Sequence, residues 1–306
     1  MGVDMRPSVR LAICLVLSLV LCTISVNAAA PTPVKEGNGA IFGGAMLNAN
    51  SSGANETPFE QLPAIVEDYT ATWCDNCVYV EEALHHVSDD TGALVMHFHR
   101  NNDTEDPFGI PEGESWWQRR NNDGVAPPTI AVNGINIQEG SVPNGNNLEE
   151  DYTNLVAIKP DIGSGDSQFI WHLASDNSSG AFIWSLQPNW EHGDFASAAS
   201  VNNYLFIIEE TSTFNEGSNG IEDYPNVIKE IIDLGTESEG MVNITLPDAW
   251  DGNDLQLVLI HEFILLEEVD EVKEEGSDGF LPSITMLSTS LVALIAAMSR
   301  KNYSTK

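Results

Sequence analysis

The chain has 306 residues and 42% hydrophobic content, enough for packed cores in two globular units. Twelve Lys and Arg stand against 46 Asp and Glu, a formal charge of -34. That balance excludes binding built on phosphate contacts, which needs clustered cations, and marks an acidic surface that serves solvation. No Asp-rich twelve-residue loop closed by Glu is present, so the acid does not read as a calcium loop.

Residues 1–30 have the form of a secretory signal peptide. Arg6 and Arg10 precede the apolar run Leu11 to Leu21, and Val26-Asn27-Ala28 offers a small-residue cleavage site. Cys14 and Cys22 lie inside this segment, and Leu21 before Cys22 is a poor match to a lipoprotein box. Residues 31–60 are rich in Gly, Ala, Asn, Pro and Ser without periodicity, and are expected to be a flexible linker.

Order is expected from Leu62, in a mostly buried strand that runs to Thr70. The period then changes: Cys77, Val80, Leu84 and Val87 fall at helical spacing. Cys74 is therefore placed at the N-terminal end of a helix, with Cys77 one turn in. Orphan backbone N–H groups and the helix dipole favour a thiolate at that end. Trp73 forms an apolar wall beside the pair. Further along, Leu94 to Arg100 makes a second strand, followed by a loop at Asp106-Pro107-Phe108-Gly109 and a helical patch from Ser115 to Asn121. A strand from Thr129 to Val132 turns at Asn133-Gly134 into Ile135 to Gln138, and a helix from Asn147 ends before Pro160.

Cys74 and Cys77 are the only cysteines outside the N-terminal segment. Two thiols at this spacing can cycle between dithiol and disulfide by thiolate exchange. Zinc needs two further ligands, and His85, eight residues past Cys77, lies roughly 12 Å along the helix at its usual rise. A purely structural bridge closing so short a loop would stabilise little.

The Cys-x-x-Cys after the first strand, the Pro128-Thr129 pair before the hairpin and the order strand, helix, strand, helix, strand, strand, helix resemble the thioredoxin superfamily over residues 60–160. The resemblance implies a thioredoxin-like α/β domain over 61–160 and a thiol-disulfide oxidoreductase acting on protein disulfides. Its redox centre would be the Cys74–Cys77 disulfide, with no other cofactor and no metal. It also implies a cis bond before Pro128, set against the cysteines. Asp68, six residues before Cys74, would be the buried acid that moves protons, with His97 as its basic neighbour. Pro127 departs from the aliphatic residue usual before that proline. Asp75-Asn76 between the cysteines puts a negative charge beside Cys74, which disfavours the thiolate and points to a reductase or isomerase over an oxidase.

Residues 161–272 carry strand-like runs at Gln168 to Leu173, Ala181 to Leu186, Tyr204 to Ile208, Met241 to Leu246 and Leu255 to Phe263. They are expected to form a separate antiparallel β-sandwich, with Pro225 to Leu234 as a helix or crossover and Trp171, Trp184 and Trp190 in its core or on its sheet. Trp116-Trp117 with Arg119-Arg120 suits either a substrate groove or a helix packed with its polar side outward. An acidic tether (273–279) leads to an uncharged stretch (280–298) long enough for one membrane span, and a basic tail (299–306) follows. This end also resembles the C-terminal anchoring tails of archaeal surface proteins, where the helix can be trimmed and replaced by a lipid. The globular part is thus expected outside the cytoplasm, at the cell membrane. Asn50, Asn55, Asn102, Asn177 and Asn243 begin Asn-x-Ser/Thr triplets there. Expected partners are secreted proteins with thiols or disulfides and an electron donor or acceptor, but no nucleic acid. A binding, metal-delivery or assembly protein without turnover is the alternative.

Overall fold

The computed structural model describes residues 32–33, 39–120, 126–189 and 198–265. The expected signal peptide (1–30), tether (273–279), membrane span (280–298) and tail (299–306), as well as Trp190, lie outside the described residues. Among the described residues no helix is long and apolar enough to cross a membrane.

The expected linker over 31–60 is the first correction. It holds β1 (Thr32–Pro33), β2 (Ala40–Asn48), β3 (Gly53–Pro58) and a 3-10 turn at Phe59–Gln61. Two adjacent glycines break the alternation of β2 and hide it in the sequence. Gly43 has φ +127°, and a Cβ there would sit 2.4 Å from the Leu259 carbonyl oxygen, so the close approach of a neighbouring strand needs glycine. Around it Ile41, Phe42 and Ala45 are buried.

From residue 65 the elements follow the order read from the sequence. They are β4 (Ile65–Tyr69), α1 (Asp75–Thr91), β5 (Leu94–Phe98), α2 (Pro111–Arg120), β6 (Thr129–Val132), β7 (Asn136–Glu139) and α3 (Leu148–Val156). β4 runs parallel to β5 and antiparallel to β6. Asn133 and Gly134, with φ of 51° and 63°, turn β6 into β7, as an Asn-Gly hairpin requires. The Asn147 side chain caps α3 by accepting the Glu150 N–H at 2.7 Å.

The expected thioredoxin-like α/β domain followed by a separate sandwich is not what the chain forms. β8 (Ser164–Leu173), β9 (Ser179–Asn189), β10 (Ala198–Thr213), β11 (Asp223–Gly235), β12 (Glu239–Thr245) and β13 (Leu255–Leu265) complete two sheets that draw on both halves. One has nine strands in the order β1-β7-β6-β4-β5-β11-β10-β13-β2, the other four in the order β12-β9-β8-β3. The seam is a parallel contact between Val227 on β11 and His97 on β5. The fold is dominated by strands, with three α-helices among the described residues.

The cores show why the halves cannot be separated. One face of the large sheet buries Ile65, Tyr69 and Phe98 together with Phe206, Ile208, Ile228, Val258 and Ile260, and Trp116 and Trp117 of α2 pack on it. This single core crosses the expected boundary at 160/161. The opposite face is shared. α1 and α3 cover one end, where Val66, Val95 and Ile130 meet Val80, Leu84 and Tyr152. The four-stranded sheet covers the other, setting Phe169, Trp171, Phe182 and Trp184 against Leu205, Ile207, Leu257 and Leu259.

α2 packs on the sheet with Glu112, Ser115 and Gln118 outward, but its last residue turns into the core. Arg120 is fully buried, 3.2 Å from both Glu67 and Glu262, which are themselves fully buried. Its Nη1 donates to the Gly39 carbonyl at 2.8 Å. Arg119 reaches both Glu262 oxygens at 2.7 Å, and Tyr69 donates its hydroxyl to Glu67. Arg120 within the core and the partly exposed Arg119 at its edge together offset the two buried carboxylates.

Candidate active site

β4 ends at the buried Tyr69, and Thr70 to Trp73 turn the chain into α1. Cys74 is the N-cap residue of α1 and is disulfide-bonded to Cys77. The Cys77 N–H points at Cys74 Sγ, 3.2 Å away. Cys74 keeps 5% of its surface exposed and Cys77 none, so an incoming thiolate meets Cys74 first. After reduction, the unpaired N–H groups at the head of α1 and its dipole would favour negative charge on the same sulfur.

The turn before Cys74 is braced from two directions. On one side Asp106 accepts the Thr72 N–H at 3.0 Å and the Phe108 N–H at 3.2 Å, and contacts His99 Nδ1 at 2.7 Å. The Thr72 hydroxyl donates to the Glu105 carbonyl. On the other side the loop between β10 and β11 supplies Asn219. Its N–H donates to the Thr72 carbonyl at 3.1 Å and its Nδ2 to the Ala71 carbonyl at 3.4 Å. Tyr224 in turn donates its hydroxyl to Asn219 Oδ1 at 2.9 Å. The distant half of the chain therefore shapes the cysteine turn directly. Sequence reasoning found neither Asp106, read as a loop residue, nor Asn219, which carries no local signal.

The residues singled out in the sequence gather here. The Pro127–Pro128 peptide is cis, and the pairing of Thr129 with Tyr69 brings Pro128 level with the turn that leads to Cys74. Trp73 is 38% exposed beside the pair, and its indole N–H donates to Asp103 at 2.6 Å. Asp68 is fully buried on β4 and lies 3.0 Å from Nδ1 of His97, its partner across the parallel ladder. His99 faces Asp106, while His85 and His86 stand on the exposed side of α1.

Glu81 of α1 joins Asp68 and His97. Its carboxylate accepts the Thr70 hydroxyl, and one ligand atom from each of the three lies within 4.8 Å of the others. Burial pushes His97 down, but the hydrogen bond and charge of Asp68, with Glu81, outweigh it and hold His97 above its ordinary value. Burial likewise pushes Glu81 up, against the pull of His97. His97 and Glu81 therefore retain protons more readily than free groups do. Together with Asp68 they are also a chemically sound donor set for one divalent cation, with an imidazole and two carboxylates.

No family model and no curated protein matches the chain. Among solved structures, the chain is similar to protein AGR_C_4864 from Agrobacterium tumefaciens at 14% identity, over 72% of this chain and 97% of that one, with a TM-score of 0.40. It is similar to HBP35 of Porphyromonas gingivalis at 13% identity, over 73% of this chain and 80% of that one, with a TM-score of 0.41. Likeness at that level assigns no role, so the functional argument rests on the site.

Proposed function

We propose that the protein exchanges thiols and disulfides with other proteins through Cys74 and Cys77. The observation that carries this reading is the asymmetry of the pair: Cys74 at the surface edge and helix head, Cys77 sealed one turn deeper. In the reductive direction the Cys74 thiolate attacks a substrate disulfide and expels one substrate thiolate. Cys77, deprotonated, then attacks Cys74 Sγ, releases the second substrate thiol and leaves the Cys74–Cys77 disulfide. Two electrons pass to the substrate, and an external thiol donor must return them. Asp68, whose Oδ1 has no hydrogen-bond partner, and the proton-retaining His97 and Glu81 are the buried groups offered for the Cys77 proton. The reading also draws on the likeness of these motifs to the thioredoxin superfamily. Its setting would be extracytoplasmic, at the cell membrane, on the sequence signals at the two ends, with secreted proteins as substrates.

The test is turnover of a small-molecule disulfide and of a scrambled protein by the purified protein. Wild type is expected to reduce or reshuffle both, and Cys74→Ser to lose activity altogether. Inactivity of the wild type across redox buffers from reducing to oxidising refutes the reading. A second reading, metal delivery without turnover, draws on the Asp68, Glu81 and His97 donor set. It requires stoichiometric metal uptake that His97→Gln abolishes.

A further inference from the structure

Trp73, the residue before Cys74, lines a cleft of about 610 Å³ whose walls come from both halves of the chain. Trp73, Asp103 and Glu105 line one side, Phe214, Glu216 and Trp250 the other. We propose that this cleft docks basic peptide segments with an aromatic or aliphatic neighbour, and so sets which partner cysteines reach Cys74. The inference rests on the thiol-disulfide reading above and names its substrate class.

Two features point to that occupant. The first is a rigid aromatic wall. Trp73 is 38% and Trp250 42% exposed, far more than the buried tryptophans of the core. Their indole N–H groups are already engaged, by Asp103 at 2.6 Å and by the Thr213 carbonyl at 2.8 Å, so what remains for a partner is ring surface. Trp250 is fixed edge-on against Phe108 at 5.1 Å and Phe214 at 5.9 Å. Preset aromatic surface of this kind anchors interfaces at little entropic cost.

The second feature is charge. Glu105 and Glu216 stand exposed on opposite walls, Asp103 is hydrogen-bonded to Trp73, and among the described residues no Lys or Arg lines the cleft. The cation near Trp250, Lys229, is 5.9 Å from the ring and paired with Glu209 at 3.3 Å. An arginine or lysine entering here can lay its stem and cation on an indole face while meeting a carboxylate, each contact reinforcing the other. An acidic segment would meet like charge with no counter-ion. Neither Phe214 nor Trp250 belongs to the stretch that resembles a known family, so the preference is a property of this chain's own assembly.

Isothermal titration calorimetry on the full chain tests the proposal with two synthetic peptides of equal length. Both carry Ser where a substrate would carry Cys; one has Arg and Tyr flanks, the other Glu and Tyr. The basic peptide is expected to bind at least about tenfold more tightly, and more weakly as salt rises. Trp250→Ala should weaken it about tenfold, as loss of an aromatic anchor does. Glu105→Gln with Glu216→Gln should weaken it roughly three- to tenfold. Asp89→Asn with Asp90→Asn, at the far end of α1, removes as much charge elsewhere and should leave affinity unchanged. Equal affinity for both peptides, or equal losses in the cleft and far-end variants, overturns the proposal in favour of general attraction to an acidic protein. The peptides lack a thiol, so the outcome is independent of turnover: a protein that binds them selectively but never reduces a disulfide loses its redox role and keeps the docking site.

Discussion

His261 offers a quantitative test of how the two sheets are joined. It sits on β13, fully buried, between Ser167 of the small sheet and Asn203 of β10. Asn203 spends its Nδ2 on the Gly235 and Glu237 carbonyls, so its Oδ1 accepts from His261 Nδ1–H at 2.7 Å. His261 Nε2 is then left to accept the Ser167 hydroxyl at 2.8 Å. Protonation would place a charge in the dry seam, and burial lowers this imidazole from 6.5 to about 3. A depressed base stabilises the fold above its unfolded value and loses that contribution as pH falls through the folded one. At 1.36 kcal/mol per unit, two pH units below 6.5 remove about 2.7 kcal/mol. His261→Gln should therefore be less stable than wild type by about 1–3 kcal/mol at pH 7.5, from the disturbed buried hydrogen bonds. That gap should narrow or reverse by pH 4.5. Urea titrations of both proteins between these values read it directly. Parallel curves, with a gap that never changes, would show that His261 titrates normally and that the seam is wet. His97 acts in the opposite sense: its raised value adds stability present below 6.5 and lost as pH rises through its folded value.

Two further outcomes follow from the braces around the site. Arg120→Met leaves Glu67 and Glu262 buried with one guanidinium fewer, and should cost about 3–5 kcal/mol in urea unfolding; a loss under ~1 kcal/mol would mean that water reaches the cluster. Asn219→Ala keeps the backbone N–H on the Thr72 carbonyl but removes the Nδ2 donor to the Ala71 carbonyl and the Oδ1 that accepts from Tyr224 and the Ile221 N–H, and should lower stability by about 1–2 kcal/mol. Hydrogen exchange at Thr72 to Cys74 should rise with it, and an unchanged exchange rate there would remove the β10–β11 loop from any part in holding the cysteines.

Local chemistry was legible where it acts locally. The helical spacing of Cys77, Val80, Leu84 and Val87 matches the buried face of α1, and the Asn-Gly turn matches the β6–β7 hairpin. What failed depends on distant partners. Pro225 to Leu234 reads as a helix or a crossover, and Val227, Ile228, Ile231 and Ile232 recur at three and four. In β11 a bulge at Lys229 shifts the register, since Ile207 pairs with Glu230 but Ile208 with Ile228. The extra residue puts Ile228 and Ile231 on one face, and a strand imitates the helical period. The runs Tyr204 to Ile208 and Leu255 to Phe263 read as strands, but nothing in them showed that they would be covered on both sides and join the sheet of β4 and β5. Cys74, Cys77, Asp68, Trp73 and Pro128 were visible as a motif, whereas the Asp106 and Asn219 braces exist only once the loops meet.

The span of the nine-stranded sheet also fixes when the cysteine turn can be finished. A chain emerging from its N-terminus exposes both thiols by residue 77, yet their second brace arrives at Asn219 and the counter-ion of Arg120 at Glu262. Until nearly all of the folded part has emerged, the pair sits on a turn that only the Glu105 and Asp106 side can brace, open to any oxidant or thiol nearby. Completion of the cysteine turn is thus a late event, timed by translation and chain closure, in a topology whose long-range pairings fold slowly.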